Sequence, residues 1–349
     1  MANAIQKNNV NVDIQVISSP SDNTSHNDVS EKIYIDSIRI KKSKNLIIRA
    51  IKELVFSLQV SASISKNSSF QVYTVPSPII LIVAYFRNNN NFGIDVRDCS
   101  WDYIEGRGLL GFIASKLLLF LLRPIFKRAD FICCTNSFES ASIFKNFKRK
   151  ATVIPNGIEE IKYQKLIHAS NVKNISQGST RVLYAGNLGY AQSLMTLVES
   201  VKILENFDVE LIGEGVQKSY IKKYLADNHI DNVRVISSMH WDELVNKYIE
   251  SDILYAQITS DYASAIPTKI FEYLAAGRKV VLGLPDGPAK SIFDTFSGVF
   301  IHEPENVEHC KLVLNIAKES SDPDVKYNSE LLKKYVRENF NETFAKLIS

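Results

Sequence analysis

The stretch "AIPTKIFEYLAAGRKVV", Ala265 to Val281, sets Lys269 three residues ahead of Glu272. Two chemistries fit that spacing. One is an intrahelical ion pair on a solvated face, worth about 0.2–0.5 kcal/mol. The other is a ligand site. A lysine at a helix start, beside free N–H groups and the positive dipole end, can hold a phosphate, and a carboxylate one turn on can accept hydrogen bonds from sugar hydroxyls. The surrounding residues predict the short helix that either chemistry needs. Pro267 suits the first helical position and Gly277 the left-handed residue past the end, while Ile270, Phe271, Leu274 and Ala275 form an apolar face. Upstream, Gly186 and Gly189 in "YAGNLGYAQSL" follow a strand-like run and open a helical one. Glycine there lets backbone approach a phosphate closely, although the spacing is not G-x-G-x-x-G. "LIGEG", Leu211 to Gly215, repeats the strand-to-glycine pattern one unit later, and ordinary turn chemistry accounts for either alone.

These residues need a scaffold, and the chain supplies an alternating one. Its 349 residues suffice for two domains with separate cores, and the composition is that of a soluble globular protein. Strand-like runs "NVDIQVI", "FQVYTV", "FGIDVRD", "DFICCT" and "TVIPNG" alternate with helical patterns at Leu46–Ser63, Ser77–Arg87, Gly108–Lys127 and Ser137–Asn146. A polar stretch from Glu159 to Thr180 reads as a linker. The alternation restarts with "RVLYAG", "DVELIG", "NVRVIS", "DILYAQ", "KVVLGL" and "GVFIHE", and one long helix, Tyr327 to Leu347, closes the chain. This order predicts an α/β protein with two doubly wound parallel sheets. The expected division is residues 1–165, residues 166–326 and a C-terminal helix, 327–349, packing back on the first domain. Ligands are expected in a cleft between the domains, at the carboxyl ends of the strands.

Charge and cysteine usage exclude other classes. The four cysteines form no C-x-x-C pair and read as buried thiols of a reducing compartment, and the six histidines show no metal spacing. "MANAIQKNNVNVDI" has no apolar signal core, so the expected location is cytoplasmic. The net charge of +3 is unevenly spread: residues 1–165 hold 22 Lys and Arg against 14 Asp and Glu, the rest 19 against 24. The first half therefore faces something anionic, and with no nucleic-acid motif the expectation is a membrane surface or phosphorylated lipid. Two segments suit that surface: the basic, amphipathic "SIRIKKSKNLIIRAIKELVF", and "LLGFIASKLLLFLLRPIF", which Lys116 and Arg123 interrupt. The second reads either as a buried crossover helix or as an interfacial helix on anionic lipid. Asp322-Pro323-Asp324 has the D-x-D form of some metal sites, but its polar setting before a helix favours a turn, and no metal is expected.

The series "VLYAGNLGYAQSLMTLVES", "VELIGEG", "NVRVIS…DEL…Y…SDILYA" and "SAIPTKIFEYLAAGRKVV" resembles, in order and spacing, the nucleotide-sugar half of the family 4 glycosyltransferases. "VRDCSWD" and "ADFICCTNS…ATVIPNGIE" look like parts of that family's first domain, and the likeness runs over most of Phe70 to Glu303. It is nearest to members that extend bacterial surface polysaccharides and O-antigens. The resemblance implies the two-domain GT-B fold and retaining sugar transfer from a nucleotide diphosphate, UDP first, to a lipid-linked glycan at the inner membrane face. It implies that Glu272, last Glu of an E-x7-E signature, binds the donor ribose. Lys269 meets the diphosphate, with Pro267, Gly186, Asn187, Gly189 and Gln192 around it.

Departures from the pattern are specific. Ser264 stands where the signature has its first Glu, with Asp261 as the substitute. Asn187 and Gln192 replace an Arg and a Lys common in the family. Arg97 occupies the position of a sugar-contacting His and is assigned to the donor sugar, with Asp98 positioning the acceptor hydroxyl; a structural pair at a strand end is the competing reading. The first glycine of the chain is Gly93, and "MANAIQKNNVNVDIQVI" reads as the end of the family's first helix running into its second strand, so the expectation is either a true start upstream or a protein that lacks the family's glycine-rich turn. The alternatives are a non-catalytic GT-B subunit that binds nucleotide-sugar or a partner enzyme, and a nicotinamide-dependent dehydrogenase.

Overall fold

The computed structural model describes residues 14–18, 33–37, 46–63, 70–75, 78–87, 91–105, 108–170, 178–204 and 206–348. The chain forms two compact units, one of residues 1–155 with 338–349, the other of residues 156–337.

The first unit opens with a parallel pair, β1 (Ile14–Ser18) and β2 (Ile33–Ser37); "IYIDS" of β2 is a strand that the sequence reading does not place. Helix α1 (Leu46–Ser63) leads to β3 (Phe70–Val75), α2 (Pro78–Arg87), β4 (Asn91–Val96), α3 (Ser100–Glu105), α4 (Gly108–Arg128), β5 (Phe131–Cys134), α5 (Ser137–Phe147) and β6 (Thr152–Val153). Strands β3 to β6 form a parallel sheet in chain order. Alternation along β5 explains why both faces are covered. Ile132 and Cys134 enter the core built on Ile94, Val96, Trp101, Leu122 and Phe126, whereas Phe131 and Cys133 face the other way, onto Phe344. Gly93 pairs with Phe131 across β4 and β5, and a Cβ on it would lie 2.2 Å from that ring. The absent side chain is what lets the ring lie across the strand.

One face of helix α4 fits the crossover reading. Ser115, Leu119, Leu122, Ile125 and Phe126 are buried at helical spacing against the unit's core, as a crossover helix requires. Its other face is equally apolar but exposed, with Leu110 at 82%, Phe120 at 67% and Leu117 at 60%. By length and composition alone it is the one helix among the described residues that could cross a membrane.

The second unit begins with a helix, α6 (Glu160–Ser170), in the stretch read as linker. Tyr163 and Leu166 bury themselves in the second unit's core, too few apolar positions for the pattern to declare itself in a polar segment. The elements that follow are β7 (Thr180–Ala185), α7 (Met195–Lys202), β8 (Phe207–Ile212), α8 (Lys218–Asp227), β9 (Val233–Ile236), α9 (Trp241–Glu250), β10 (Ile253–Gln257), α10 (Lys269–Ala275), β11 (Lys279–Gly283), α11 (Pro288–Phe293), β12 (Val299–His302), α12 (Val307–Glu319) and α13 (Val325–Leu332). The six parallel strands run β12-β11-β10-β7-β8-β9. Chain order therefore reverses between β7 and β10, the switch point where doubly wound sheets leave a crevice for ligands.

The long helix expected from Tyr327 to Leu347 is broken. Val336 is extended, Ile158 donates its N–H to the Tyr335 carbonyl (2.9 Å), and Arg337 donates to the Ile158 carbonyl (2.9 Å). That bridge takes backbone groups a continuous helix would use itself. A separate helix, α14 (Asn341–Ile348), belongs to the first unit, where Phe344 packs edge-on against Phe131. Asp324 of the D-x-D triplet caps α13, accepting from the Tyr327 N–H at 2.9 Å.

Candidate functional site

At the end of β7 the loop Gly186–Gln192 lies backbone to backbone on the loop after β8. Gly186 donates to the Ile212 carbonyl (2.9 Å) and Leu188 to that of Glu214 (2.8 Å). Gly213 makes this approach possible: its φ is +151°, and a Cβ would fall 1.8 Å from the Gly186 carbonyl oxygen. "LIGEG" is thus the partner of the first glycine turn, a role the sequence reading left as turn chemistry. Asn187 Nδ2 donates to Gln192 Oε1 at 3.2 Å, bridging over Gly189.

The loop is tied to the neighbouring strand across the switch point. Buried Gln257, last residue of β10, donates from Nε2 to the carbonyls of Gln192 (3.1 Å) and Ser193 (2.9 Å) and to Thr196 Oγ1 (3.1 Å). Thr259 donates its N–H to the Ala191 carbonyl at 2.9 Å. Sequence reasoning missed Gln257; the signal was an amide ending an otherwise apolar buried strand. Asp261, two residues after Thr259, is exposed in a one-turn 3-10 segment, Ser260–Tyr262.

Helix α10 starts at Lys269, not at Pro267. The first bonds are short-range, from Ile270 N–H to the Pro267 carbonyl (3.3 Å) and from Phe271 N–H to that of Thr268 (3.2 Å), which places Pro267 in the turn before the helix. Tyr273 anchors the helix to the end of β7, its hydroxyl accepting from the Ala185 N–H (2.9 Å) and donating to the Ala185 carbonyl (3.2 Å). The Lys269–Glu272 ion pair is present, Nζ to Oε2 at 3.2 Å. It is not a simple surface pair, because the carboxylate is largely buried, with 13% of its side chain exposed. Trp241 Nε1 (3.2 Å) and the Tyr248 hydroxyl (3.3 Å) also donate to Oε2, and Lys162 Nζ stands 4.0 Å from Oε1. Neither Trp241 nor Lys162 is among the residues singled out from sequence.

The first unit gathers its own charged groups at the carboxyl edge of its sheet. Arg97 pairs with buried Asp95, Nε to Oδ2 at 2.7 Å, so the strand-end pair is Arg97 with Asp95 and not with Asp98. Burial raises the Asp98 carboxyl, opposed by a long hydrogen bond from the Tyr103 hydroxyl (3.5 Å). Glu139, in the first turn of α5, is buried; its Oε2 accepts from the Thr135 N–H (2.7 Å) and hydroxyl (2.8 Å), while Oε1 has no hydrogen-bond partner. Burial lifts its pKa to about 7 against those two bonds, with the Asp98 charge pushing it up and Arg97 pulling it down. Glu139 is also the third residue of a capped helix, its N–H donating to Asn136 Oδ1 at 2.9 Å.

The family model described as glycosyl transferases group 1 matches residues 168–335, the segment holding the switch point, the paired glycine loops and Glu272. That segment, just under half of the chain, is similar to the glycosyl transferases group 1 family. The chain's curated relative, an uncharacterized glycosyltransferase of Methanocaldococcus jannaschii, is 21% identical over 222 residues, covering 63% of this chain and 56% of that protein. The match thus spans little more than half of the relative's length. Among solved structures, sucrose-phosphate synthase from Thermosynechococcus elongatus superposes with a TM-score of 0.73 at 13% identity, over 99% of this chain and 90% of that one. HepE of Anabaena, solved in complex with UDP-glucose, gives a TM-score of 0.64 at 12% identity, over 91% and 86%. Both structures share the fold of this chain, and that likeness extends beyond the residues that the family model matches.

Proposed function

We propose that this glycosyltransferase moves a sugar, with retention of configuration, from a nucleoside diphosphate donor, UDP-linked first, to a lipid-linked glycan in the assembly of bacterial surface polysaccharide or O-antigen. The observation that carries the reading is that the helix bearing the Lys269–Glu272 pair is bonded through Tyr273 to Ala185, the residue before the Gly186–Gln192 loop, inside the segment that the family model matches. Glu272 takes the ribose hydroxyls. Lys269 balances charge on the departing diphosphate, the term that dominates such reactions. Asn187 and Gln192 line the diphosphate loop, and Asp261 stands in for the missing first carboxylate of the signature. In the first unit Arg97 contacts the donor sugar and Asp98 the acceptor hydroxyl. No metal takes part.

The acceptor assignment is supported by α4, whose exposed apolar face is flanked by Lys116, Arg123, Lys127 and Arg128 on a basic first half. This helix seats the protein on anionic lipid as a peripheral protein of the cytoplasmic membrane face. The test is transfer from a panel of UDP- and GDP-sugars to lipid-linked glycans in vesicles, with the anomeric configuration of the product read by NMR. The expected product keeps the donor's configuration and partitions with the lipid. An inverted linkage would refute retention, and transfer to soluble glycans alone would refute the lipid acceptor.

A further inference from the structure

Glu272 is held by an uneven set of partners. A carboxylate offers about four lone-pair positions over two oxygens. Here Oε2 receives Trp241 Nε1 (3.2 Å), the Tyr248 hydroxyl (3.3 Å) and Lys269 Nζ (3.2 Å). Oε1 has Lys162 Nζ at 4.0 Å, beyond hydrogen-bond reach. Two of the three donors on Oε2 are neutral. An indole N–H can only donate, and the Tyr248 hydroxyl is aimed at the same oxygen.

Both neutral donors are themselves fixed. The Trp241 ring lies against two ammonium groups, Lys162 at 5.6 Å and Lys165 at 5.4 Å from its centre. Fully buried Tyr248 packs edge-on against Tyr273 at 5.3 Å, and Tyr273 is bonded to Ala185 at the end of β7. The carboxylate is therefore registered to the strand that carries the glycine loop, through a chain of side chains that are neutral.

We propose that Trp241 and Tyr248 are positioning residues for donor recognition: they hold Oε2 of Glu272 so that Oε1 remains for the ribose hydroxyls when Lys269 turns to the diphosphate. This rests on the donor reading above. Lys269 has two anions to serve in the loaded site, and a carboxylate oriented by the lysine alone would lose its orientation when the diphosphate arrives. The neutral pair removes that conflict.

The experiment is titration calorimetry of the full chain with UDP and 2′-deoxy-UDP, and with GDP and 2′-deoxy-GDP, for the wild type, Trp241→Phe and Tyr248→Phe. Wild type should prefer the ribonucleotide by about ten-fold or more, the worth of one hydrogen bond to a charged group. Either variant should bring that preference down to about three-fold or less while its melting temperature stays near wild type. Tyr248→Phe removes a single oxygen, so it keeps the test open if Trp241→Phe folds poorly. Variants that bind more weakly yet keep the full ribose preference would show that the contacts only support the fold, and overturn the proposal. A wild type that binds UDP or GDP without ribose preference overturns it and leaves the donor reading standing. A wild type that binds no nucleotide overturns both.

Discussion

At the carboxyl edge of the second sheet Glu272 receives three donors on one oxygen, whereas at the same edge of the first sheet one buried oxygen of Glu139 has no hydrogen-bond partner among the described residues. The contrast extends outward. In the second unit the loops after β7, β8 and β10 are bonded to one another, and helices cover both faces of the sheet. In the first unit α4 carries a broad exposed apolar face. The described part of the first unit thus leaves a buried carboxylate oxygen without a hydrogen bond and an apolar helix face exposed, whereas the loops of the second unit are bonded to one another.

The largest expected effect lies on α4. Burying a large apolar side chain is worth about 1.5–3 kcal/mol, so Leu110→Glu with Phe120→Glu should weaken binding to phosphatidylglycerol vesicles by about a hundred-fold or more. Both side chains are exposed, so the melting temperature should not move. Wild-type binding should also fall steeply as salt is raised. Unchanged vesicle binding in the double variant, or salt-insensitive binding, would break the contrast between the units.

A second effect sharpens it through pH, because the two units bury titratable groups of opposite sense. In the unfolded chain Glu139 ionises near 4.5, but burial delays this to about 7 in the folded chain. The associated stability is complete below the lower value and is lost as pH rises through the higher, about 3 kcal/mol in all. His302 in the second unit is the mirror case. Burial lowers its pKa from 6.5 to about 4, with Nδ1 bonded to the Glu303 carbonyl at 2.8 Å and Nε2 without a partner. Unfolded histidine takes its proton first, so stability present above pH 6.5 is lost as pH falls towards 4, again by about 3 kcal/mol. The two windows overlap and their contributions oppose each other, so denaturant unfolding between pH 4 and 7 should show stability rising more steeply with pH in Glu139→Gln than in wild type, and falling with pH in His302→Phe. Variant profiles parallel to wild type over this range would mean that other groups control it.

The same contrast governs what could be read from the sequence. The second unit's strands are continuous apolar runs such as "DILYAQ" and "KVVLGL", as strands buried on both faces must be, and each falls within a residue or two of its place. Gly186, Gly189, Lys269 and Glu272 were legible because a turn, a charge and a helix start are local features. Trp241 was not, and Tyr248 entered only as the tyrosine of the quoted series, without a role. On α9 they sit at ordinary core spacing beside Leu244 and Val245, and only the fold brings them to Glu272. Glu139 was hidden by its second role as a cap residue. The break at Val336 was invisible because its cause, the bridge to Ile158, comes from 178 residues away in sequence.

The central claim is that the second unit holds a nucleoside diphosphate at Glu272. It is tested most directly by thermal unfolding of the chain with UDP, GDP, CMP and NAD, for wild type and Glu272→Ala. At a hundred times its Kd a ligand specific for the folded state adds about 2.7 kcal/mol. The account predicts that UDP or GDP raises the melting temperature and that Glu272→Ala abolishes the rise. Stabilisation by NAD alone, or a UDP shift that Glu272→Ala leaves intact, would contradict it.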